Sequence, residues 1–193
     1  WTGNYGYIVG GGAFPSPGRL DVIDRVSFTS DGNAADVGDL TQVTAPLTAS
    51  SSPTHGYAAG GHNASAATNV ISRFAFAATA NASDVGDLTV AKYNGHSCSS
   101  ETYGYSAGTT SSNVIDRFSF SSDGNATDWG DLNYSPNRAS GTSSTTHGYT
   151  HGGEVGNVYK DHISKISFAS AGTAGDVGDL TLIVAYMGHT GSN

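Results

Sequence analysis

Ser122–Leu132 reads SDGNATDWGDL, and nearly the same phrase stands at three other places in the 193-residue chain: SDGNAADVGDL at Ser30–Leu40, ANASDVGDL at Ala80–Leu88 and GTAGDVGDL at Gly172–Leu180. An active site is normally built once, so a phrase written four times speaks first of architecture. A second phrase, Gly-Tyr followed by small residues and glycine, begins at Gly6, Gly56, Gly104 and Gly148, at spacings of 50, 48 and 44 residues. A period in the forties marks a repeat array, and ~40–50 residues suits one propeller blade.

Four short strands fit into each period. Strand a is the run before Gly-Tyr, as in YNGHSCSS from Tyr93, and strand b is the GYxxGG segment itself. Strand c is the β-branched and aromatic run DVIDRVSF, NVISRFAF, NVIDRFSF or DHISKISF, and strand d is the DVGDL type. None of these has helical spacing, and Gly, Asn and Asp bound them. Between c and d, Asp-Gly and Asn supply the positive φ and side-chain hydrogen bonds of a tight reversal. The expected fold is all-β: one domain over 1–193, a β-propeller of four four-stranded blades at roughly 1–47, 48–95, 96–140 and 141–187.

A solenoid of small sheets would satisfy the same pattern, but the ends of the chain favour a ring. The C-terminal YMGHTGSN matches YNGHSCSS of the third repeat, and the N-terminal WTGNYGY matches SETYGYS, which comes directly after it from Ser100. Joined end to head they continue the period at a spacing of 51. Residues 188–193 are therefore expected to pair with the first blade's strand b and close the ring, leaving no open edge.

Composition narrows the function classes. Eight basic residues against 16 acidic give a net charge of −8, and no cluster of Lys or Arg is present to neutralise a phosphate backbone, so nucleic acid is not an expected partner. No apolar run approaches the roughly 18 residues of a membrane-spanning helix. Cys98 stands alone, which rules out an intrachain disulfide and a thiolate metal cage. In GHSCSS it reads as a small buried strand residue.

The GG doublet ending strand b, the aromatic strand c and the apolar residue opening strand d (Val37, Val85, Trp129, Val177) resemble a degenerate kelch repeat, in which Trp129 keeps the usual tryptophan and Gly108 lacks its partner glycine. Phrases such as NVIDRFSFSSDGNATDWGDL are similar to repeats in virion structural and tail-fibre-like proteins of tailed phages infecting marine cyanobacteria. That resemblance implies a kelch-like propeller on a virion surface or in another extracellular setting, with other virion proteins as partners and no enzymatic role. A homo-oligomer is compatible with it.

The repeated charges are expected to brace the blades. Arg25, Arg73, Arg117 and Lys165 occupy one position of strand c, and Asp36/Asp39, Asp84/Asp87, Asp128/Asp131 and Asp176/Asp179 one stretch of strand d. Each basic residue is expected to bond an aspartate of its own or an adjacent blade, where charge-assisted hydrogen bonds make partial burial tolerable. The second aspartate is expected to receive backbone N–H groups near Gly38, Gly86, Gly130 and Gly178. Paired carboxylates for glycoside hydrolysis need a separation of roughly 5 to 9.5 Å across a cleft, and a pair three residues apart in a repeated hairpin makes no cleft. Calcium at Asp31, Asn33 and Asp36, or at Asp123, Asn125 and Asp128, stays open as a second use of these hairpins. No catalytic residue, metal or cofactor is assigned. His55 and His147 fall at the a–b turn, and His96 and His189 on strand a, where packing or turn hydrogen bonding is the expected role.

Strand order places the b–c and d–a connections on one face. The b–c loops diverge where the framework repeats (AFPSPGRLD, HNASAATN, TTSSN, EVGNVYKDH), so specificity should sit there. Tyr93, Tyr134, Arg138, His151, Tyr159 and Tyr186 are the candidate ligand-binding residues, with Phe14, Arg19, His62, Asn63 and Glu154 around them: aromatic faces to stack on sugars, amides and charges to bond them. The expected function is a non-enzymatic adhesion or receptor-recognition module for surface glycans or a surface protein. The alternative is a structural module that docks to other virion or filament proteins.

Overall fold

The computed structural model describes residues 3–12, 18–109 and 111–185, and these contain strands and turns without helix. The first sheet holds β1 (Tyr5–Val9), β2 (Val22–Ser27) and β3 (Ala35–Asp39). The second holds β4 (Thr48–Ser51), β5 (His55–Ala59), β6 (Thr68–Ala75) and β7 (Ser83–Lys92), and the third β8 (His96–Ser99), β9 (Tyr103–Thr109), β10 (Ser112–Ser119) and β11 (Thr127–Asp131). The fourth is β12 (Ser140–Ser143), β13 (His147–His151), β16 (His162–Ser167) and β17 (Gly175–Asp179), with a hairpin of β14 (Glu154–Val155) and β15 (Val158–Tyr159) between its middle strands. Sheets two to four have four antiparallel strands each in the order a, b, c, d, and the first has b, c and d.

Serine chemistry makes the reversals. At the a–b turns Ser52, Ser100 and Ser144 accept the N–H of His55, Tyr103 and His147 at 3.0 to 3.1 Å. After strand c, Ser27, Ser119 and Ser167 do the same for the residues two and three positions on. These local bonds give the backbone an alternative to strand and so end it.

The core lies between sheets, in three seams. Ile23, Val37 and Leu40 of the first sheet pack on Ala58 and Phe74 of the second; Tyr57, Ile71 and Leu88 pack on Phe118 and Ala126 of the third; Tyr105, Ile115 and Leu132 pack on Ile166 and Ala174 of the fourth. The glycine of Gly-Tyr is part of this packing, because a Cβ on Gly56 or Gly104 would lie 2.2 or 2.4 Å from the ring of Phe74 or Phe118.

The fourfold phrase is the latch of these seams. The N–H of Ala82, Ala126 and Ala174, in the c–d turn of one sheet, donates to the carbonyl of Asp39, Asp87 and Asp131 in strand d of the sheet before it, at 2.7 to 2.8 Å. Asp39 and Asp87 N–H donate in return to Asn81 and Asn125 Oδ1, each at 3.1 Å. Gly38, Gly86 and Gly130 have φ of 149°, 144° and 138°, and a Cβ there would stand within 2.5 Å of the carbonyl oxygen of Ala80, Gly124 or Gly172. Only glycine meets both demands.

Among the described residues no hydrogen bond or ring contact joins the fourth sheet to the first. The expected closing strand at 188–193 lies outside the described residues, as do Phe14, Tyr186 and His189.

Candidate functional site

The bracing charges act differently from the expected pairing. Arg73 does meet an aspartate, but it is Asp123 in the third sheet's c–d turn and not a member of the DVGDL pairs. The corresponding turn positions facing Arg25 and Arg117 are Thr79 and Ala171. Without an acid there, Arg25 lies over the Tyr5 ring at 4.4 Å, and Arg117 lies over Tyr103 at 4.4 Å and Trp129 at 3.6 Å, where ring quadrupoles hold the cation. Lys165 has no ion pair among the described residues. Glycine N–H groups go to the first aspartate of each pair, not the second: Gly38, Gly86, Gly130 and Gly178 N–H donate to Asp36, Asp84, Asp128 and Asp176 Oδ1 at 2.9 to 3.1 Å. A side chain reaches the N–H two residues on at little cost, so the nearer aspartate makes the turn. Asp39, Asp87 and Asp131 serve the seams through their backbone.

Buried chemistry elsewhere is structural. Cys98 is buried in the third seam, and burial pushes its thiol up to about 12, which leaves no thiolate for nucleophilic work. His96 Nε2 lies 2.8 Å from Thr150 Oγ1; burial, then Lys92 and His151, hold its pKa down to about 3. The rings of His55 and His147 bond Thr54 and Thr146 Oγ1 within the a–b turns at 2.8 and 2.9 Å. Asp161, His162 and Asp179 offer ligand atoms within 4.8 Å of one another; His162 Nδ1 lies 3.3 Å from Asp179 Oδ1, and the cluster is partly open to solvent.

The loop face carries a cleft of about 360 Å³ lined by Tyr93, Asn94, Asn137, Arg138, Glu154, Gly156 and Asn157. Three connections build it. Arg138 N–H donates to Asn94 O at 2.9 Å, tying the loop before strand a of the fourth sheet to the one before strand a of the third. Asn137 and Glu154 exchange both backbone hydrogen bonds at 2.8 and 2.9 Å, tying that loop to the β14–β15 hairpin. The hairpin turns on Gly156 and Asn157 with φ of 57° and 64°, the geometry of a type I′ turn. EVGNVYKDH, expected as loop, is thus partly strand: Gly-Asn between two valines was the available signal.

Within the cleft Arg138 Nη1 and Glu154 Oε2 are 2.7 Å apart, with Glu154 nearly buried, so the two charges cancel locally. Asn137 is buried, and its Oδ1 has no partner among the described residues. Tyr93 is held edge-on by His62 at 5.4 Å, and its carbonyl accepts from Thr109 Oγ1 at 3.0 Å. Asn94 and Arg138 both have positive φ, 56° and 60°.

Of the candidate ligand-binding residues, the structure brings Tyr93 and Arg138 into this cleft. Tyr134 is turned inward: its hydroxyl donates to Gly152 O at 2.9 Å, its ring stands edge-on to His162, and burial pushes its pKa up to about 12. His151 Nε2 lies 2.7 Å from Thr142 Oγ1 on the neighbouring strand, half-buried. Tyr159 is exposed on the hairpin, across from Glu154. Asn94, Asn137 and Asn157 were missed, because an isolated Asn reads as turn chemistry until its neighbours in space are known.

No family model matches the chain, and no curated protein matches it. Among solved structures, the structure of YjhT superposes with a TM-score of 0.70 over 83% of this chain and 60% of that chain, at 9% sequence identity. The fold is β-propeller-like. At that identity the likeness concerns fold alone, and the chain spans about 60% of the YjhT structure's length. No helix among the described residues is long and apolar enough to cross a membrane.

Proposed function

We propose that this chain is a non-enzymatic recognition module on a phage particle or another extracellular assembly, built of kelch-like blades, and that it binds surface glycans in the cleft between Tyr93, Arg138 and Asn157. The observation that carries the reading is a cleft that sets Asn94, Asn137 and Asn157 beside Tyr93 while its lining charges, Arg138 and Glu154, neutralise each other. Three asparagines beside a tyrosine ring suit hydroxyl groups and a C–H face better than a charged or wholly apolar ligand, and the volume lies within the usual range for small-molecule sites. The test is a glycan array probed with the full chain. Specific binding that disappears in Tyr93→Ala and persists in Tyr159→Ala is the expected result.

The second reading is a structural module that docks to other proteins. It draws on the exposed Phe28, Leu182 and Ile183 at the two ends of the array. Silence across all sugars, together with a stable protein complex, would favour it.

A further inference from the structure

Each internal seam joins the b, c and d strands of one sheet to the b and c strands and c–d turn of the next, and the contacts recur by position. Tyr7, Tyr57 and Tyr105 stack on Phe76, Phe120 and Phe168 of the following sheet with centroids 4.7 to 4.8 Å apart. The residue after the DVGDL leucine bonds a strand-c side chain of the following sheet: Thr41 to Ser72 at 2.6 Å, Thr89 to Asp116 at 2.5 Å, and Asn133 to Ser164 at 2.6 Å. Where the following turn offers an acid, the strand-c cation takes it, as Arg73 takes Asp123.

The fourth sheet carries the giving half of this seam with nothing on it among the described residues, and the first sheet carries the receiving half. Tyr149 and Thr181 stand at the positions of Tyr105 and Asn133, and Phe28 and Asp24 at those of Phe168 and Ser164. Lys165, without an ion pair among the described residues, corresponds to Arg73, and Asp31 corresponds to Asp123. The two acid-bearing turns are thus matched to Arg73 and Lys165, while Arg25 and Arg117, which face Thr79 and Ala171, lie on aromatic rings. Exposure tells the same story. Phe28 is 62% and Val177 48% exposed, whereas Val37, at the position of Val177, is 5% exposed in its seam. A Cβ added at Gly178 meets nothing within 4 Å among the described residues, whereas one at Gly38, Gly86 or Gly130 strikes the turn of the following sheet.

We propose that copies of this chain associate head to tail, the fourth sheet of one copy sealing onto the first sheet of the next through Lys165 with Asp31, Thr181 with Asp24, and Tyr149 with Phe28. The interface is heterologous, with a different surface on each partner, so it propagates or closes according to the rotation per copy. It is continuous with a seam the fold already makes three times, and it is independent of the glycan reading.

Sedimentation of the full chain from micromolar to near-millimolar concentration tests it. Mass is expected to rise in multiples of the monomer. Phe28→Ser is expected to weaken association about tenfold or more, as loss of a central aromatic does, with an unchanged circular dichroism spectrum because Phe28 is exposed in the single chain. Lys165→Glu should weaken it too, and Lys165→Glu with Asp31→Lys should recover it. In a mixture of Asn33→Cys chains with Asp179→Cys chains, an interchain disulfide is expected. A monomer at every concentration would overturn the proposal. So would a double Asn33→Cys, Asp179→Cys chain that crosslinks within a monomer while the mixture does not, an outcome that assigns the seam to closure inside one chain.

Discussion

Lys92 Nζ lies 2.9 Å from Asp116 Oδ2 across the second seam, with both side chains fully buried. Lys92 also donates to Ser106 O and Val114 O at 2.8 and 2.7 Å, and Thr89 donates both its N–H and its hydroxyl to Asp116 Oδ1. The other seams carry Ser72 and Ser164 at the strand-c position, so this one sets a carboxylate where they have a hydroxyl and adds Lys92 as its counter-ion. Burial pulls the Lys92 pKa down, and Asp116 pulls it back up. A pair held this way specifies which two sheets meet more than it stabilises them.

Removing one partner should therefore hurt more than removing both. Asp116→Asn or Lys92→Met alone is expected to cost about 3–5 kcal/mol in urea unfolding, because each leaves a buried charge uncompensated. The double variant should lose less than the sum, and a double-mutant cycle reads the difference. Simple additivity would show that the two charges do not depend on each other.

His96 makes stability fall with acid. Its folded pKa of about 3 lies below the 6.5 of the free side chain, so between those values the unfolded chain binds the extra proton. Stability from this group is complete above about 6.5 and is lost as pH falls, at up to about 1.4 kcal/mol per pH unit. Denaturant midpoints measured from pH 7 to pH 4 should show a steeper decline for the native chain than for His96→Gln. Parallel declines would rule His96 out as the cause.

Cys98 should be silent to thiol reagents. With the thiol buried and its pKa near 12, labelling at pH 8 is expected to be negligible in buffer and complete in denaturant. Rapid labelling of the folded chain would mean that the third seam opens readily.

Two glycines of the same phrase should respond unequally. Gly130→Ala places a Cβ 2.1 Å from Gly172 O, whereas Gly178→Ala meets nothing, although φ is positive at both, 138° and 143°. Backbone strain of about 1–3 kcal/mol is common to the two, and overpacking adds about 1–3 kcal/mol at Gly130 alone. Thermal unfolding of the dilute monomer should separate them. Equal losses would show that the seam yields without cost.

The strands of each repeat were legible because their signals are local. Alternation in VIDRFSF, the Asp-Gly-Asn reversal and the small residues of Gly-Tyr-Ser-Ala-Gly need no knowledge of what lies opposite. The β14–β15 hairpin escaped because two-residue strands carry almost no periodicity. The cleft was half visible: Tyr93 and Arg138 announced themselves by side-chain type, whereas Asn94, Asn137 and Asn157 became notable only when the fold set them around one opening.

By itself, the sequence determined that this chain is a row of small antiparallel sheets of one kind, since the ladder hydrogen bonds that join the strands of each sheet lie within one repeat. Only the tertiary structure decided what each repeated side chain meets, because that depends on what the next sheet, a whole repeat further along the chain, sets opposite it. Arg73 found Asp123 while Arg117, in the same motif, came to rest on Trp129. The identity of a repeated residue fixes its place in a strand, but the neighbouring repeat fixes its chemistry.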